Sequence, residues 1–61
     1  MYLVKRWDNV ILDRSLVFDT AKTQAIVASA TFHAGQRIDV VDHWDDRPDQ
    51  TVAMYMNGHE V

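Results

Sequence analysis

Thr20-Ala21-Lys22-Thr23-Gln24-Ala25-Ile26-Val27-Ala28-Ser29-Ala30-Thr31-Phe32-His33-Ala34-Gly35 is the one stretch of this 61-residue chain with a helical apolar period. Ala21, Ala25, Ala28 and Phe32 stand at i, i+4, i+7 and i+11 and share one face. Ile26 and Val27 widen that stripe, and alanine along it lets a helix lie close to whatever it covers. Asp19-Thr20 offers side-chain acceptors to the free N–H groups of a first turn. Gly35 stands where a helix end favours a left-handed residue. The pattern predicts a helix over Thr20–Ala34, about 22 Å long.

On both sides of this segment the period falls to two. Tyr2–Trp7 reads as a strand, Asp8-Asn9 as a tight turn and Val10–Phe18 as the returning strand. Val10, Leu12, Leu16 and Phe18 share a parity that Arg14 breaks, so a bulge is expected near Arg14-Ser15. After the helix, Gln36–Trp44 alternates, with Ile38, Val40 and Trp44 on one side and Val41 and His43 on the other. Asp45–Gln50 reads as a loop, because Pro48 is barred from a central strand. Thr51–Met56 reads as the last strand, Asn57-Gly58 as a turn and His59–Val61 as a tail.

The order strand, strand, helix, strand, strand predicts a single α+β domain over residues 1–61. It is a two-layer sandwich, with one helix on one face of a mostly antiparallel four-stranded sheet. Two hairpins around one helix admit more than one strand order. Parity assigns Ile38, Val40, Trp44, Val52 and Met54 to the helix side. It leaves Leu3, Lys5, Trp7, Val41, His43, Ala53 and Tyr55 for an open face. That face is more apolar than solvent requires, which points to a partner.

Composition narrows the function classes. The chain has 48% hydrophobic and 25% charged residues and no cysteine, as in a globular domain without disulfides. A domain this small buries only about 60% of its unfolded surface. The start, Met1-Tyr2-Leu3-Val4-Lys5-Arg6, has no secretory apolar run, and Ala25–Ala30 is far too short to span a bilayer. A soluble, cytoplasmic protein is expected. The net charge of −3 divides unevenly. Residues 1–37 carry five cations and three aspartates, a net of +2; residues 38–61 carry Arg47 against five aspartates and Glu60, a net of −5.

The acidic run Asp39-x-x-Asp42-His43-Trp44-Asp45-Asp46-x-x-Asp49 places five aspartates in eleven positions. It lacks the glycine of a calcium loop, so no metal is assigned to it. It reads either as a solvated hairpin edge or as a negative patch for a basic partner surface. His33, His43 and His59 have no metal-ligand spacing. Ser15 and Ser29 lie in no nucleophile elbow, and two glycines cannot build a phosphate loop. No catalytic residue and no cofactor is expected. Lys5, Arg6, Arg14, Lys22 and Arg37 do not cluster, and a pI near 5.3 opposes direct nucleic-acid binding. Tryptophan and tyrosine are favoured interface anchors, and parity leaves Trp7 and Tyr55 exposed.

Several segments carry a resemblance: Val17-Phe18-Asp19-Thr20-Ala21-Lys22, the alanine-rich helix ending at Gly35, Arg37-Ile38-Asp39-Val40-Val41-Asp42, and the final hairpin. In size and architecture the chain resembles small phage and mobile-element α/β proteins, among them type I anti-CRISPR proteins. The resemblance implies a non-enzymatic inhibitor that binds a larger protein or ribonucleoprotein defence complex. It assigns no functional residue, and the acidic second half departs from the basic patches common among such proteins. The residues expected to meet the partner are Asp42, Asp45, Asp46 and Asp49, with Trp7 and Tyr55 as anchors. The alternatives are a homodimer or larger oligomer pairing through sheet edges, and a small nucleic-acid-binding regulator.

Overall fold

The structure, a computed structural model, describes residues 1–61. Its elements are β1 (Tyr2–Arg6), β2 (Ile11–Ser15), α1 (Phe18–Ala30), β3 (Ile38–Trp44), β4 (Arg47–Met56) and β5 (His59–Glu60). All neighbouring strands are antiparallel, in the order β2-β1-β3-β4-β5. The fold is α+β, with one helix packed on one sheet. That sheet has five strands where four were expected. The extra strand comes from the predicted tail: Asn57 and Gly58 both take positive φ, and this two-residue turn brings His59 and Glu60 back against Met56 and Tyr55.

The helix is displaced towards the N-terminus relative to its sequence pattern. Ser15 Oγ accepts the N–H of Val17 at 3.0 Å, ending β2 early, and α1 starts at Phe18 with no side-chain cap. Asp19 falls in the first turn, where its charge complements the positive end of the helix dipole. The chain leaves the helix at Thr31, so Phe32 drops off the buried stripe and is 91% exposed. Gly35 has φ +82°, and its N–H donates to Asn57 Oδ1 at 2.9 Å, tying the post-helix turn to the β4–β5 turn.

Bulges set the registers. The β1–β2 pairing passes from Val4↔Asp13 to Lys5↔Ile11, so the irregularity falls at Leu12 and not at Arg14-Ser15. The β3–β4 pairing passes from Val40↔Ala53 to Val41↔Thr51, leaving Val52 as the extra residue. Strand β4 begins at Arg47, inside the expected loop. Pro48 is tolerated because β5 reaches only Tyr55 and Met56, so this part of β4 is an outer edge.

The core is Val4, Ile38, Val40 and Tyr55 from the sheet against Ala21 and Ala25 from the helix. The small helix residues bring the backbone layers together. Tyr2 and Phe18 close one end, with ring centroids 5.3 Å apart. Tyr55 is 2% exposed, which overturns its expected place on the open face. Ile38↔Tyr55 and Val40↔Ala53 are direct pairs, so Tyr55 and Ala53 share the helix-facing side with Ile38 and Val40. Met54 and Met56 therefore point the other way and are exposed. The Tyr55 hydroxyl donates to Glu60 Oε1 at 3.3 Å; burial first, and the nearby Glu60 charge second, raise its pKa above the ordinary value.

The helix is also tied to the last turn. Ser29 is fully buried; its Oγ donates to Ile26 O at 3.0 Å and accepts the Gly58 N–H at 2.9 Å. A Cβ on Gly58 would stand 3.1 Å from the Ala30 Cβ, so close packing and the left-handed backbone both require glycine there.

Candidate functional site: the acidic hairpin tip and the open sheet face

Trp44 pairs with Arg47 and leaves Asp45-Asp46 as a two-residue loop at the tip of the β3–β4 hairpin. Neither aspartate has positive φ, so this loop lacks the left-handed residues that match strand twist in most two-residue hairpins. The register is irregular between Asp42 and Trp44, and both aspartates of the tip are exposed. The Asp45 side chain is fully exposed; His43 Nε2 lies 3.9 Å from it, and no lysine or arginine pairs with it.

Trp44 is 47% exposed and lies outside the core, contrary to its expected position under the helix. By residue number it alternates with Ile38 and Val40, but the register shifts between Asp42 and Trp44, and it stands past Asp42, the residue paired with Tyr2 at the end of β1. Its indole Nε1 donates to Asp42 Oδ1 at 2.7 Å, and the Arg47 guanidinium lies 5.2 Å from its ring centroid. These two contacts fix the ring beside the carboxylates.

Of the six predicted contact residues, the structure brings four together. Asp42, Asp45, Asp46 and Asp49 belong to one hairpin end. Trp7 is 58% exposed, but it follows Arg6, which pairs with Ile38 at the opposite end of β3. About six strand residues, roughly 20 Å, separate it from the tip. Tyr55 is buried in the core and offers no exposed surface at the tip. The aromatic group beside the acidic residues is Trp44. Its place at the end of the 38/40/42/44 row, immediately before two aspartates, is the sequence signal that marks it as a tip residue.

No helix covers the second sheet face. Leu3 and Val41, a direct pair at its centre, are nonetheless buried. Long polar side chains on the same face shield them: Lys5 Nζ lies 3.5 Å from Asp49 Oδ2, His43 Nδ1 lies 2.6 Å from Asp49 Oδ1, and Arg37 binds Asp39 at 2.9 and 3.2 Å. Their aliphatic stems cover apolar surface while the charged ends reach water. Hydrogen bonding from His43, followed by the charges of His43 and Lys5, lowers the Asp49 pKa below the usual carboxylate value.

Beside this lattice a groove of about 550 Å³ runs between β2 and the hairpin tip. Leu3, Ile11 and Leu16 form its apolar floor and one wall, and Trp44 and Asp45 form the other. Arg14 lies on the β2 side and makes no ion pair within the chain. No group of three or more histidine and carboxylate side chains converges on a metal position. No helix is long and apolar enough to cross a membrane. Comparison with protein families, with curated proteins and with solved structures returns no match.

Proposed function

We propose that this chain is a non-enzymatic protein-binding module whose β3–β4 hairpin tip seats on a basic surface of a larger protein or ribonucleoprotein assembly. The observation that carries this reading is the exposed set Trp44, Asp45 and Asp46. An aromatic anchor is fixed by Asp42 and Arg47 next to two carboxylates that have no short ion pair of their own. Such a tip combines desolvation by an indole with charge that steers encounter with a basic groove. The mode of action is occlusion, as in the phage and mobile-element inhibitors that the chain resembles in size and build.

Edge pairing into an oligomer is the weaker reading. On β2 the Arg14 N–H is taken by Asp13 Oδ1 at 2.9 Å, so it is not offered to a neighbouring strand. On the free part of β4, Pro48 removes a donor and Val52 bulges. Both devices blunt a sheet edge.

Affinity capture from cells that carry the gene tests the proposal. The unchanged chain is compared with an Asp45→Lys/Asp46→Lys variant, which leaves the Asp49 lattice intact. The proposal expects a partner retained by the unchanged chain and reduced at least about tenfold on the variant. Equal recovery on both would remove the acidic tip from the contact.

A further inference from the structure

The groove on the open face contains two halves of a contact that does not close within one chain. Arg14 on the β2 side has no ion pair, and Asp45 across the groove has a fully exposed side chain that no lysine or arginine pairs, its one close basic group being the His43 imidazole at 3.9 Å. The apolar residues that flank them, Leu16 at 79% exposure together with Ile11 and Trp44, are open to solvent. We propose that the occupant of this groove is a second copy of the same chain, with the two hairpin tips exchanged about a two-fold axis. Trp44 of each copy rests on Ile11 and Leu16 of the other, and Asp45 of each meets Arg14 of the other.

Two-fold symmetry is what turns this lining into a complete interface. A surface that carries a cation on one wall and an anion on the other is self-complementary: a half-turn superposes each on its opposite, so one kind of ion pair forms twice. Ile11 and Leu16 flank Arg14 and Trp44 adjoins Asp45 in the sequence, so each ion pair has apolar neighbours that lose water on association. The sheet edges do not compete for the second copy, since the Asp13 cap on Arg14 and the Pro48 and Val52 irregularities oppose strand addition. The groove is lined by ten residues, fewer than the roughly 20–30 a side of a standard interface, so association is expected to be weak and reversible. A dimer built this way covers Trp44, so it and a hetero-partner on the same tip exclude one another.

Charge reversal separates this arrangement from any other dimer. In an Arg14→Glu homodimer both cross-contacts become carboxylate against carboxylate; in an Asp45→Arg homodimer both become guanidinium against guanidinium. A mixture of the two variants restores attraction at both contacts. In the mixed pair the introduced glutamate of one copy meets the introduced arginine of the other, and the remaining native Asp45 meets the remaining native Arg14. Neither position contributes to the core, so both variants are expected to fold, and far-ultraviolet circular dichroism checks this.

Sedimentation equilibrium over roughly 20 μM to 1 mM is the experiment. The unchanged chain should approach twice 7.0 kDa with rising concentration. Each variant alone should weaken association at least about tenfold, and their equimolar mixture should recover it. A monomeric unchanged chain at 1 mM (roughly the weakest association worth assigning), variants that associate like the unchanged chain, or a mixture that stays monomeric would each overturn the proposal.

Discussion

Asp49 and His43 are joined across the β3–β4 hairpin by a 2.6 Å contact between Oδ1 and Nδ1, and the second Asp49 oxygen reaches Lys5 on β1. One carboxylate thus links three strand segments over the buried Leu3–Val41 pair. Its pKa is lowered in the folded chain, chiefly through the hydrogen bond with His43. The stability it contributes is therefore present above the ordinary carboxylate value of about 3.9 and is lost as pH falls through the depressed one. Thermal melts at stepped pH should show an acid limb below about pH 4 that is shallower in Asp49→Asn. Coincident acid limbs would rule out this role for Asp49.

Tyr55 gives the opposite sign at high pH. Its folded pKa is raised above the ordinary phenol value, so the neutral phenol is the form the fold prefers. That contribution is complete below about pH 10 and decreases as pH rises through the raised value. Tyr55→Phe should retain the fold and lose part of the alkaline destabilisation. An alkaline transition unchanged in the variant would show that Tyr55 does not govern it.

The two faces of β4 differ sharply in what they contribute. Tyr55→Ala empties the centre of the core and should cost about 3–5 kcal/mol, and Ile38→Ala about 2–5 kcal/mol. A domain of this size has about 3–5 kcal/mol in total, so both variants should be largely unfolded at 25 °C. Met54→Ala and Met56→Ala, on the open face, should each cost less than about 1 kcal/mol. Urea unfolding followed by circular dichroism measures all four. Larger losses at Met54 than at Tyr55 would reverse the assignment of the faces.

The link between the helix end and the last turn is testable at two positions. Gly58→Ala introduces a Cβ 3.1 Å from Ala30 at φ +81° and should destabilise by about 1–3 kcal/mol. Ser29→Ala leaves the Gly58 N–H without its acceptor and should cost about 1–2 kcal/mol. Hydrogen exchange at the Gly58 amide should accelerate in Ser29→Ala while the β1–β3 amides stay protected. Unchanged exchange at Gly58 would argue against the bond.

Much of this fold is legible in the residues themselves. The alanine stripe announces the helix, and Asn57-Gly58 announces a two-residue turn. The strand that follows that turn is too short to show a period, so β5 reads as a tail. The choice of faces on β4 fails for a physical reason. Val52, Met54 and Met56 together are more apolar than Ala53 and Tyr55, yet the pairing of Ile38 with Tyr55 places the tyrosine inside. Register is a property of two strands and a bulge, and no single-strand pattern contains it. Trp44 fails differently. The register shifts between Asp42 and Trp44, so parity with Ile38 and Val40 does not carry past Asp42, and the indole lines the open-face groove. The acidic positions 42, 45, 46 and 49 are legible as a group because they are close in sequence. Their aromatic neighbour is legible only from its place immediately before Asp45-Asp46, against the strand alternation that puts it under the helix.

If the tip at Trp44 is where this chain meets its partner, a probe placed there should capture that partner. Photo-crosslinking in cells that carry the gene makes the comparison, with a benzophenone amino acid at position 44 and, as a control, at position 32. Both sites are natural aromatics, and Phe32 is exposed just past the helix end, outside the tip. Position 44 should give a heavier crosslinked species that the Asp45→Lys/Asp46→Lys changes suppress, and position 32 should give none. A species near twice 7.0 kDa belongs to self-association and is distinguished by mass. Crosslinking to a larger protein from position 32 and not from position 44 would contradict the assignment of the tip as the contact.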